Sequence, residues 1–116
     1  MTEPISIRTD ADWTLEGRAQ LGHEVLDLAP TADQHPCWTG WYADRLGVGA
    51  YRMSTMLRPL LDRMSRAGLL TKTGGLERRP DGRTRSGACY YRLAIDRHDA
   101  HELWSERTQG RRWWAA

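Results

Sequence analysis

The sequence predicts an α+β fold, mainly α, with a three-helix core, a β-hairpin and an added C-terminal helix. Three observations predict it. Apolar residues recur at 4-3-4 spacing in two stretches, Leu15, Ala19, Gly22, Leu26 and Met53, Leu57, Leu60, Met64, each one face of a helix. Gly47-Val48-Gly49 interrupts the chain just before the second stretch. Toward the C-terminus, two β-rich stretches flank Pro80-Asp81-Gly82, a tight-turn signal.

The 116 residues suit one domain with a modest core, and the 40 % hydrophobic content is ordinary for a soluble chain. No apolar run approaches the ~18 residues of a membrane span, and no basic-then-apolar leader opens the chain. A cytoplasmic protein with no membrane partner is expected. Two cysteines, Cys37 and Cys89, are too few for a disulfide framework.

Taken in order, residues 1–13 are polar and aperiodic and read as a flexible arm. A helix over 14–29 ends at Pro30, which cannot continue it. Its stripe makes it a scaffold. A polar loop over 31–36 leads to Thr39, an N-cap candidate for a short helix over 40–46. Trp38, Trp41 and Tyr42 read as core-filling rather than base-stacking, because aromatics stabilise chiefly by burial. The glycine-rich turn supplies residues free to take φ > 0.

A longer helix follows over 50–67, with Gly68 as its C′ residue. Pro59 lies inside it, removes a backbone bond and opposes the Thr55 carbonyl. That predicts a kink or a break between a segment 50–58 and a segment 60–67. Strands are expected over 69–73 and 88–95, where Tyr90, Tyr91, Leu93 and Ile95 carry β character. The turn between them sets Arg78, Arg79, Arg83 and Arg85 on the tip and flanks of a hairpin. Residues 96–107 form a last helix with Ala100, Leu103 and Trp104 on one side. A basic-aromatic tail closes the chain, so its organisation is 1–13, 14–95 and 96–116.

Charge is distributed unevenly. Residues 1–48 carry three Arg against eight acidic residues, whereas residues 49–97 carry ten Arg and Lys72 against Asp62, Glu77, Asp81 and Asp96. An acidic first half joined to a basic second half suggests one face built for a polyanion. The 16 Arg against one Lys reflect a compositional bias, which explains the choice of Arg but not its clustering.

One stretch carries a resemblance. Ala43 is followed four residues later by Gly47, and Met53 lies six beyond it. These supply a small residue where two helices cross, a flexible one in the turn, and an apolar one where the second helix meets the first. Tyr42, Leu46, Val48 and Met56 occupy the other apolar positions, and Arg66-Ala-Gly-Leu-Leu70 leads into a strand. Residues 39–70 thus resemble the DNA-reading core of the winged helix-turn-helix superfamily, broadly the MarR- and ArsR-type transcriptional regulators. The likeness extends over about 14–95.

The resemblance implies sequence-specific binding of double-stranded DNA without a cofactor. It sets Tyr51, Ser54, Thr55 and Arg58 toward the major groove and Arg52 and Arg63 toward phosphates. Arg78, Arg79, Arg83 and Arg85 become a wing that contacts backbone or minor groove. It also implies a homodimer through the C-terminal helix. The chain departs from the pattern at Pro59 and in the extra turn of its long helix.

No enzyme is expected, since phosphate-loop, GxGxxG and GxSxG patterns are absent. His98 and His101, and His35 and Cys37, each lack the two further ligands of a closed zinc site. Two rivals share the fold: a DNA-binding module of replication, partition, recombination or DNA translocation, as in phage and plasmid proteins, and a protein-binding adaptor. The clustered arginines disfavour the adaptor.

Overall fold

A computed structural model describes residues 13–78, 80–110 and 113–114, with the backbone alone at 76–78 and 84–86. The arm over 1–12 lies outside the described residues. Among those described, the fold is α+β and mainly helical, with four helices and a three-stranded antiparallel sheet.

Helix α1 spans Leu15–Leu28, and the Thr14 side chain caps it by accepting from Gly17 N–H. Its core face is Leu21, Gly22, Val25 and Leu26; of the expected stripe Gly22 and Leu26 lie on it, whereas Leu15 and Ala19 are only half-buried. After Pro30 the chain forms β1, Cys37–Trp38, then helix α2 over Thr39–Leu46. Thr39 is the first, buried residue of α2 rather than its cap, and Trp38 takes the extended cap conformation. Gly47 ends α2 at φ 69°, and the next N–H, of Val48, returns to the Ala43 carbonyl at 2.8 Å.

Helix α3 occupies 50–66 without interruption. It is α-helical at Ala50–Arg52, widens to a π-turn at Met53–Leu57, and is α-helical again over Arg58–Arg66. Of the kink or break expected at Pro59, the break does not occur, and the helix is instead irregular in the turn before it. The Arg58 N–H reaches back five residues to the Met53 carbonyl, so the turn preceding Pro59 is loosened. That widening gives the ring room beside the Thr55 carbonyl, an adjustment found where a regular ladder is obstructed. Leu57, Leu60, Leu61 and Met64 are fully buried along α3, each stabilising by about 1.5–3 kcal/mol. Gly68, at φ 83°, closes the helix, with Gly68 N–H on Ser65 O and Leu69 N–H on Met64 O.

Strands β2, Leu70–Arg78, and β3, Thr84–Leu93, run further into the hairpin than the expected pair, while Leu69, Ala94 and Ile95, expected within strands, lie outside them. Gly74 pairs with Cys89 and Leu76 with Ser86, so β3 carries one extra residue there. This bulge lets pairing continue past Gly74-Gly75, where the sequence reads as a strand end. Strand β1 adds to the other edge of β3, giving the order β1-β3-β2.

Helix α4, Arg97–Arg107, packs on α1. Trp104 is fully buried, and its indole N–H donates to Ala19 O at 2.8 Å. Its ring lies where a side chain on Gly22 would stand, so Gly22 is there to admit the indole. Leu103, by contrast, is 46 % exposed. His23 and His101 join the same helices through their Nδ1 atoms at 2.8 Å, and His101 Nε2 meets Asp27 at 2.8 Å. Two of the tail residues, Trp113 and Trp114, fold back edge-to-face, Trp113 against Trp104 and Trp114 against Trp113. No helix among the described residues is long and apolar enough to cross a membrane.

Candidate nucleic-acid interface

The first half of α3 supplies the exposed polar face. Tyr51 is 73 % exposed, and Ser54, Thr55 and Arg58 are exposed beside it. Both hydroxyls turn back onto their own helix: Ser54 Oγ and Thr55 Oγ1 donate to the Tyr51 carbonyl at 3.1 and 2.9 Å. Their protons are thereby engaged, and each oxygen offers lone pairs outward. Such acceptors suit the amino groups of cytosine or adenine in a major groove.

Arg58 joins α3 to the hairpin, its Nη2 donating to Cys89 Sγ at 3.3 Å. Ser54 and Arg58 share a groove of about 140 Å³ with Trp38, Met53, Ala88 and Cys89. Trp38 is half exposed there, with its ring over Gly40, rather than in the core. Tyr42 is the core aromatic: it is fully buried and donates to the Tyr91 carbonyl at 2.9 Å. Trp41 is partly buried against the same core.

The carboxylate of Asp62, on α3, is engaged. Its Oδ1 accepts from Tyr91 Oη at 2.7 Å and meets Lys72 Nζ at 2.8 Å. Burial pushes this carboxyl up, but Lys72 and the Tyr91 hydroxyl outweigh burial and hold it below its ordinary value. Burial and the neighbouring carboxylate drive the Tyr91 phenol strongly upward, so it stays a donor. Asp62 is thus paired with Lys72, and the charge of Arg58 adds a smaller attraction.

Arg52 and Arg63 occupy a different environment. Arg52 lies 5.2 Å from the Trp13 ring centroid and 5.7 Å from that of Tyr51. Arg63 sits 4.5 Å from the centroid of Trp114, which Arg18 approaches at 4.6 Å. Both are held by aromatic rings, whereas Ser54 and Arg58 open onto the groove beside the hairpin. At the hairpin turn Arg83 is exposed, and its N–H is anchored by Asp81 Oδ1 at 3.0 Å. Arg79 and the side chains of Arg78 and Arg85 lie outside what is described.

Sequence reasoning missed Trp38 and Cys89 as parts of this surface. A two-residue strand has no periodicity to betray it, and the Arg58–Cys89 contact joins residues 31 apart. Among the described residues no group of three or more His, Cys, Asp or Glu is arranged to hold a metal ion. No family model matches the chain, and comparison with curated proteins and with solved structures returns no match.

Proposed function

We propose that this chain is a cytoplasmic winged helix-turn-helix protein that binds double-stranded DNA sequence-specifically and acts as a transcriptional regulator. One observation carries the reading. The first half of α3 turns Tyr51, Ser54, Thr55 and Arg58 outward next to the β2–β3 hairpin, while Asp62, the carboxylate of the same helix, is neutralised by Lys72. An α-helix with outward donors and acceptors fits a major groove, and a basic hairpin beside it follows the phosphates.

In this reading Arg58 donates to a guanine edge once it leaves Cys89, and Ser54 and Thr55 accept from base amino groups. Arg78, Arg79, Arg83 and Arg85 hold the backbone or minor groove, and Arg52 steadies Tyr51. The exposed Leu103 on α4 favours a homodimer through that helix.

The test is selection of a preferred duplex from random sequences, followed by Arg58→Ala and Thr55→Ala. Each substitution should cost discrimination at one base pair by roughly 1–3 kcal/mol. Equal losses on selected and random DNA would refute the groove assignment. Selection of a site also separates a regulator from a protein-binding adaptor, which would enrich none. A module of replication, partition, recombination or translocation uses the same contacts and is distinguished by where the selected site lies.

A further inference from the structure

The C-terminal end of α3 carries a second basic feature, distinct from the Tyr51–Arg58 face. Arg63 and Arg66 of α3 and Arg107 of α4 converge on a cavity of about 120 Å³ whose remaining walls are Trp104 and Trp113. Among the described residues, neither Arg66 nor Arg107 has an ion pair or a hydrogen bond. Each therefore keeps its five N–H donors for something else.

Three guanidinium groups so placed repel one another. Burial, then Arg66 and Arg107, lower the Arg63 pKa, while Arg18 close by is lowered by burial, Arg52 and Arg63. A guanidinium does not escape such repulsion by losing its proton near neutral pH. The cavity is also built with some rigidity. Trp104 is fully buried and hydrogen-bonded to Ala19, and Trp113 stands edge-on to it at 5.2 Å.

The geometry points to an oxyanion site that takes a phosphate group between Arg63, Arg66 and Arg107. A single carboxylate would match one guanidinium fork. A phosphate of about −1.5 to −2 charge presents three oxygens and answers several forks together. At about 120 Å³ the cavity is well below the roughly 300–1,000 Å³ of drug-sized ligand pockets, so it fits the phosphate group rather than a whole metabolite. The phosphate belongs either to a small anion free in solution or to a nucleic-acid backbone, and the chemistry at the arginines is the same. The free-anion form stands independently of the proposed function, whereas the backbone form rests on duplex binding.

The experiment has two arms on the full chain. In the first, inorganic phosphate and pyrophosphate are titrated at constant ionic strength while tryptophan emission is followed, because Trp113 lines the cavity. In the second, the salt dependence of binding to a random duplex is measured. Both are repeated with Arg66→Gln/Arg107→Gln. Saturable phosphate binding that weakens at least tenfold in the variant supports a site for a free anion. Absent phosphate saturation, a salt slope reduced by about two, one unit for each lost contact, supports a backbone phosphate. If neither arm responds to the substitutions in a protein that melts normally, the site does not exist. Should the double variant melt early, Arg66→Gln alone, on an exposed side chain, gives the same readings at roughly half the slope change.

Discussion

The Tyr91 hydroxyl on β3 donates to Asp62 Oδ1 on α3 at 2.7 Å, and that same oxygen meets Lys72 on β2 at 2.8 Å. One carboxylate thereby ties the long helix to both hairpin strands. Tyr91→Phe should lower stability by about 1.5–3 kcal/mol, the range for a hydrogen bond to a charged group. Urea denaturation at neutral pH reads this as a lower midpoint at unchanged slope. Because the folded state holds Asp62 below its ordinary value of 3.8, its stabilisation is complete above that value and fades as pH falls beneath it. An unaltered midpoint would show that the contact is not formed in solution.

Gly22 makes room for the Trp104 indole where α1 meets α4. A methyl group there displaces a fully buried ring and strains its bond to the Ala19 carbonyl. Gly22→Ala should destabilise by about 1–3 kcal/mol, even though alanine is the better helix former. The checks are the denaturation midpoint and the tryptophan emission maximum. A gain in stability contradicts this packing.

His23 links α1 to α4 through His101, with Asp27 on the far side of His101 and Ser105 Oγ 3.3 Å from His23 Nε2. Burial above all, then the neighbouring His101, lowers the His23 pKa from 6.5, and Asp27 opposes them. The unfolded chain therefore takes a proton at a pH where the folded chain does not. Stability is full above about pH 6.5 and declines as pH falls toward the depressed folded value, where the slope flattens. Melting at steps from pH 7.5 to 5 should show that decline in the parent and a flatter profile in His23→Gln. A profile unchanged by the substitution excludes this role.

Pro59 and the π-turn at Met53–Leu57 belong together. Pro59→Ala restores an N–H and removes the ring, so α3 gains a regular ladder and stability rises, by less than the roughly 3 kcal/mol separating Pro from Ala in a helix interior. Tightening that turn also rotates Tyr51, Ser54 and Thr55 relative to Arg58. Duplex affinity should therefore fall while the denaturation midpoint rises. If both rise together, the π-turn has no part in binding.

How much was legible depends on the range of the signal. The stripe Leu57, Leu60, Met64 and the stops at Gly47 and Gly68 act within a few residues, and they placed α3 and the turn closely. Pro59 was legible as an obstruction, but how the backbone absorbs it depends on burial of Leu57 and Leu60 on either side, which holds the helix together. Strand β1 and the bulge beyond Gly74 arise from pairing with β3, a partner remote in sequence. On the candidate interface, the exposure of Tyr51, Ser54, Thr55 and Arg58 followed from helical phase. The holds on Arg52 and Arg63 did not, because Trp13 and Trp114 reach them from both ends of the chain.

Whether the basic half of this chain binds duplex DNA is decided by the salt dependence of that binding. A protein touching several phosphates releases counterions, at about 0.9 in log–log slope for each. Affinity for random duplex should fall steeply between about 50 and 200 mM salt, on the scale of several contacts. The slope should be lowered by about one for Arg83→Ala, which loses one phosphate contact. Failure of the folded protein to bind duplex at the lower salt, or binding indifferent to salt, contradicts DNA binding by this half.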